Sequence, residues 1–104
     1  MEVMYQSTRS TGKKVTASQA ILKGLADDGG LFVPDAIPQL DISLDEIAKM
    51  NYQETAYQVM KQFFTDFTQE ELEKCIERAY DAKFDTKKIA PLVEKDGVYY
   101  LELF

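Results

Sequence analysis

The sequence predicts an α+β fold, a small helix-dominated domain with a short β-sheet or hairpin. Three observations predict it. Four capping side chains, each followed three residues later by Glu or Gln, open stretches with a helical apolar rhythm: Thr16/Gln19, Ser43/Glu46, Asn51/Glu54 and Thr68/Glu71. An Asp96-Gly97 pair lies between two apolar runs near the end of the chain, the signature of a tight hairpin. The 104 residues, 45% apolar and 29% charged, have the balance of one globular domain.

The first helix is expected over 17–26, with Ala20, Ile21, Gly24 and Leu25 on one face. Gly24 in a helix interior costs up to about 1 kcal/mol relative to Ala, so its small size is expected to serve close packing. Asp28-Gly29-Gly30 follows. A phosphate cradle places its glycines before a helix N-terminus, whereas here the order is helix, glycines, strand, so these glycines are expected to end the helix. "LFVP" at 31–34 reads as a brief strand, and 34–40, with Pro38, as an extended connection. A short second helix covers 44–49. The third, over 52–64, spaces Tyr52, Ala56, Val59, Met60 and Phe63 on one stripe. The fourth, over 69–83, aligns Leu72, Cys75, Ile76, Ala79 and Tyr80, with Glu70 and Lys74 paired on the outer side. Two strands flank Asp96-Gly97 within 89–104, and Pro91 pushes the first towards a sheet edge.

Composition excludes several functions. A net charge of −6 and scattered cations, with Lys13-Lys14 and Lys87-Lys88 as the only basic pairs, leave no basic face for nucleic acid. No run of about 18 apolar residues is available for a membrane span, and Met-Glu-Val-Met-Tyr lacks the regions of a signal peptide. With a single cysteine, no internal disulfide forms and a cytoplasmic location is expected. Cys75 falls on the buried stripe of the fourth helix, as an inert small hydrophobe. The absence of histidine removes the usual general base and the commonest metal ligand. None of the ten lysines has the apolar, glycine-flanked setting of a Schiff-base lysine. Asp27-Asp28 lacks calcium-ligand spacing, and Glu70, Glu71 and Glu73 favour the first turn of a helix. No catalytic, cofactor-binding or metal residue is therefore expected. Ser7-Thr8-Arg9-Ser10-Thr11-Gly12 remains open between two readings: hydroxyls and a guanidinium fork that hold a carboxylate or phosphate, or a turn leading into the first helix.

Taken in order, "YQSTRS" at 5–10, "VTASQAILKGLADDGGLFVPDAIPQL" at 15–40, "MNYQETAYQVMKQFF" at 50–64, "AYDAKF" at 79–84 and "VYYLELF" at 98–104 resemble the N-terminal region of the threonine synthases. The resemblance spans nearly the whole chain. It departs at Ser10, where many members carry Gly after Ser-Thr-Arg. It implies that residues 1–104 are the N-terminal domain of a fold type II pyridoxal-phosphate (PLP) enzyme, cut just as the next domain begins. That enzyme converts O-phosphohomoserine and water to threonine and phosphate. The cofactor lysine and the remaining PLP-binding domains of the same chain are expected beyond Phe104, so this stretch is expected to be inactive and to hold no cofactor. Thr8 and Arg9 are the only candidates for substrate contact.

Two alternatives stand beside this reading. One is a threonine-synthase-like phospholyase, which eliminates phosphate to give a keto acid. The other is a free-standing acidic interaction module whose hairpin accepts a strand from a partner. Leu101-Glu102-Leu103-Phe104 ends in an apolar strand without cap, Gly or charged tail, so the chain is expected to continue, and the isolated stretch to be marginally stable or self-associating.

Overall fold

The N-terminal segment, which the sequence marks only as the approach to a turn, is the strand around which the chain is organised. The computed structural model describes residues 2–10, 12–83 and 88–103; Thr11, Phe84, Lys87 and Phe104, named above, lie outside the described residues. Strand β1 (Tyr5–Ser7) pairs antiparallel with β2 (Phe32–Pro34) in the register Tyr5↔Pro34, Gln6↔Val33, Ser7↔Phe32. On its other edge Tyr5 exchanges two backbone hydrogen bonds with Val15, at 2.8 and 2.9 Å. Alternation places Val3 and Tyr5 inward, and they are 2% and 8% exposed.

The capping signals place every helix start. Helix α1 (Ala17–Lys23), α3 (Tyr52–Phe63) and α4 (Gln69–Ala79) each begin with a complete capping box at Thr16, Asn51 and Thr68. Helix α2 (Leu44–Ile47) opens with Ser43 accepting from the Glu46 N–H at 3.2 Å. The ends differ from expectation. Gly24, at φ 79°, is the C-cap of α1 rather than an interior residue, so α1 is shorter than 17–26. Leu25 thereby leaves the helical stripe. Ala17 and Ala20 form the buried face of α1, while Ile21 and Leu25 are exposed. Helix α4 stops at Ala79, with Tyr80 as its cap.

The main core joins β1 to α1: Val3, Tyr5, Ala17 and Ala20 are buried, with Val15, Phe32, Phe64 and Phe67 packed against them. Three polar links fasten it to the α3–α4 turn. The Tyr5 hydroxyl donates to the Phe63 carbonyl at 2.8 Å, and the Val3 N–H donates to Thr65 Oγ1 at 3.0 Å. The Ser18 N–H donates to Asp66 Oδ2 at 3.1 Å, and the Ser18 hydroxyl bonds the same oxygen. Burial pushes the Asp66 carboxyl up, but the bonds from Ser18 and Thr16 outweigh it and hold it below the usual range.

Helices α3 and α4 form an α-hairpin in which Leu72 and Ile76 are buried, and Tyr52 meets Tyr80 edge-on at 4.9 Å. The expected Glu70–Lys74 pair forms at 3.0 Å. Cys75 is exposed, contrary to the buried-stripe reading. At 100° per residue it lies about 80° from the midline of Leu72 and Ile76, on the flank of α4. It borders a small apolar recess that includes Ile21, Phe64 and Phe67.

Strands β3 (Leu92–Lys95) and β4 (Val98–Leu101) form the expected hairpin. Asp96 and Gly97 both adopt positive φ, 54° and 77°, as a type I′ turn requires. The β1–β2 and β3–β4 pairs are separate two-stranded sheets, not one. The radius of gyration is 16.2 Å, against about 13 Å for a closed domain of this length. Among the described residues six apolar side chains are buried and sixteen large ones exposed, so internal burial is small for the apolar content.

Tyr5→Phe removes the bond to the Phe63 carbonyl while keeping the ring. It is expected to destabilise the fold by about 1–2 kcal/mol, measured by urea unfolding. An unchanged midpoint would show that the hydroxyl link is dispensable.

Candidate functional site

Ser7–Arg9, from the Ser7–Gly12 stretch left open for anion binding, and Asp28–Gly30, read from the sequence as a helix end, meet at one end of the β1–β2 ribbon. The Thr8 N–H donates to the Leu31 carbonyl at 2.8 Å, and the Leu31 N–H returns to Thr8 Oγ1 at 3.1 Å. The Ser7 hydroxyl donates to Asp28 Oδ1 at 2.6 Å, and the Gly30 N–H donates to the same oxygen at 2.9 Å. Arg9 donates through its N–H to Ser7 Oγ at 3.1 Å and through Nη1 to the Asp28 carbonyl, also at 3.1 Å. The Arg9–Ser7 and Gly30–Asp28 bonds are local, whereas the others join positions 19 to 23 apart that the strand pairing brings together.

The glycine turn is tight on itself. The Gly29 N–H reaches the Ala26 carbonyl at 2.9 Å and the Ala26 N–H reaches the Gly30 carbonyl at 3.0 Å. Gly30 is a matter of space: a Cβ there would collide with Ser7 Oγ and lie 3.0 Å from both Asp28 Oδ1 and Thr8 Oγ1. A Cβ on Gly29, which has φ 82°, would meet Arg9 Nη1 at 2.8 Å. The glycines therefore serve close approach of β1 to the turn, and the helix end belongs to Gly24. As an anion cradle the turn is closed, because the Gly30 N–H that would face a phosphate already holds the Asp28 carboxylate.

The Ser7 hydroxyl, the Gly30 N–H, the Ser10 side chain and the Arg9 charge, in that order, hold the Asp28 carboxyl below the usual carboxylate range. Of the two substrate candidates, Thr8 is committed to holding the start of β2. Arg9 is exposed, and its bond to the Asp28 carbonyl uses one of five guanidinium N–H donors. Sequence reasoning missed Ser7 and Asp28 as the keystone pair; an Asp two residues before a glycine, the pattern of a local side-chain turn, is the signal that points to it.

The groove between α3 and α4, about 400 Å³, is lined by Glu54, Glu73 and Glu77 and repels anions. Among the described residues no group of three or more His, Cys, Asp or Glu could hold a metal ion. No helix among them is long and apolar enough to cross a membrane.

The family model for the threonine synthase N terminus matches residues 4–80, a span that contains β1, the glycine turn and all four helices. The chain belongs to the threonine synthase N-terminal family. It is 38% identical to threonine synthase of Schizosaccharomyces pombe over 107 residues, covering 99% of this chain and 21% of that protein. With the Saccharomyces cerevisiae threonine synthase it shares 34% over 111 residues, 97% of this chain and 21% of the relative. The crystal structure of PLP-bound threonine synthase from Brucella melitensis superposes with a TM-score of 0.82 at 31% identity, over 99% of this chain and 23% of that one. The chain thus spans about a fifth of the length of the curated relatives it matches.

The described residues do not fit PLP. Its phosphate would find the glycine turn filled by Asp28 and Arg9, and its aldehyde would need a sequestered lysine. Of the nine described lysines eight are exposed, and Lys61, half-buried, faces Asp41 at 3.5 Å.

Gly30→Ala is expected to destabilise the fold by about 1–3 kcal/mol, and Ser7→Gly in the same chain to recover part of that loss. Strict additivity of the two would refute the packing argument. Asp28 has a depressed folded pKa, so its stabilisation is present above the unfolded value of about 3.9 and is lost as pH falls through the folded one. Asp28→Asn should accordingly flatten the acid limb of a stability–pH curve below about pH 4. An unaltered limb would place the acid sensitivity elsewhere.

Proposed function

We propose that residues 1–104 are the N-terminal lobe of a cytoplasmic, PLP-dependent threonine synthase. In this reading the full-length protein converts O-phosphohomoserine and water to L-threonine and phosphate. The cofactor, when bound, supplies the electron sink for that chemistry, and the lysine that carries it lies outside this lobe. The observation that carries the reading is the superposition of 99% of the chain, at 31% identity, on the beginning of a threonine synthase.

The lobe's own residues bind and shield rather than react. It forms one wall of the substrate cleft and excludes water from it. Within the wall, Thr8 sets the ribbon, and Arg9 presents its remaining donors to the carboxylate or phosphate of the substrate. The exposed guanidinium, anchored at 3.1 Å to the Asp28 carbonyl, supports this assignment.

The test uses the full-length protein. Phosphate release from O-phosphohomoserine with threonine as product is expected; a keto acid as product would replace this reading with a phospholyase. Borohydride reduction is expected to trap PLP on a lysine outside residues 1–104, and a trapped lysine within them would refute the assignment. Arg9→Ala should raise KM for the phosphorylated substrate about tenfold or more with little loss of stability, whereas Thr8→Ala should lower stability first.

A further inference from the structure

The β3–β4 hairpin is apolar on both faces and covered on neither. In the observed register Leu92, Tyr99 and Leu101 share one face with Glu94, and Val93, Val98 and Tyr100 share the other with Lys95. All eight residues are exposed. A ribbon lying on a protein surface alternates apolar with polar, whereas a strand apolar on both sides belongs in a sheet buried on both sides.

The two edges of the hairpin are not alike. The Glu102 N–H donates to the Pro91 carbonyl at 2.9 Å, so the pairs 91/102, 93/100 and 95/98 are the hydrogen-bonded ones. The backbone groups of Leu92 and Glu94 then point outward from β3, and those of Tyr99, Leu101 and Leu103 point outward from β4. The charges of Glu94 and Lys95 guard the β3 edge. Along β4, Val98–Leu101 carry neither charge nor proline, and the one charge that follows, Glu102, sits at an inward-bonded position. The β4 edge is the one open to another strand.

We propose that β4 takes a further strand along residues 99–103, and that this strand comes from the part of the full-length polypeptide outside the present chain. The inference rests on reading residues 1–104 as the N-terminal lobe of a longer enzyme. Matched relatives are nearly five times as long, so ample chain is available to pair with the edge and to cover both faces. A second copy of the hairpin, meeting this one edge to edge, would leave all four faces in water. The full-length polypeptide satisfies edge and faces together, and β4 becomes the join between this lobe and the rest.

Site-resolved hydrogen exchange on the full-length protein tests the proposal, with threonine formation assayed on the same sample. The outward amides of Tyr99, Leu101 and Leu103 are expected to exchange about 100-fold or more slowly than those of Leu92 and Glu94. Equal exchange on the two edges, slower exchange on the β3 edge, or protection at β4 that disappears on dilution would each overturn it. Threonine formation without protection overturns the strand addition alone and leaves the proposed function standing. Protection without threonine formation supports the strand addition and counts against the function. As a second readout, Leu101→Pro and Glu94→Pro each remove one outward amide and spare the hairpin's own ladder. Leu101→Pro should lower the full-length unfolding midpoint by at least about 3 °C more than Glu94→Pro, and equal effects would overturn the choice of edge.

Discussion

The lobe depends on one extended segment being held from three sides. Residues 3–8 bond Val15 on one edge and β2 on the other, and the Tyr5 hydroxyl and Val3 amide reach the turn between α3 and α4. A three-residue strand has little stability of its own, and an isolated pair is marginal in water. Here the strand is fixed by side-chain burial and by backbone donors satisfied on both edges. The same segment sets where Ser7, Thr8 and Arg9 emerge. Core packing and site geometry are consequences of one placement.

Where β1 ends, the chain spends its polar groups on itself. The Asp28 carboxylate accepts from Ser7 and from Gly30, and the Arg9 guanidinium reaches across to the Asp28 carbonyl. A loop saturated in this way is stiff, and stiffness is what a guanidinium needs if it is to meet an anion without losing rotamer freedom. The glycines contribute by being small where two backbone turns touch. They leave no room for a phosphate between them.

Legibility in the sequence followed the range of the interactions. Helix starts were readable because a capping box is complete within four residues, and the hairpin because Asp96-Gly97 dictates its turn locally. Strand β1 was not readable: "YQS" has no alternating run of useful length, and its partners lie up to 62 positions away, as with Val3 and Thr65. Thr8 and Arg9 stood out as residue types, but their division into a structural hydroxyl and an exposed guanidinium required the pairing with residues 28–31. Periodicity placed Cys75 on a stripe wider than the face that α3 covers. The exposure of Ile21, Leu25 and both faces of the hairpin has the same origin, because apolar spacing records what a residue must eventually bury and not which partner supplies the cover.

The closing of the main core has a bearing on how the protein is made. Every contact that seats β1 lies within roughly the first seventy residues, so the core is able to consolidate on the ribosome once the α3–α4 turn has left the exit tunnel, seconds into translation. In the proposed full-length protein the hairpin follows with both faces bare until the strand that covers it has been translated. Synthesis order thus separates the closing of the core from the covering of the hairpin.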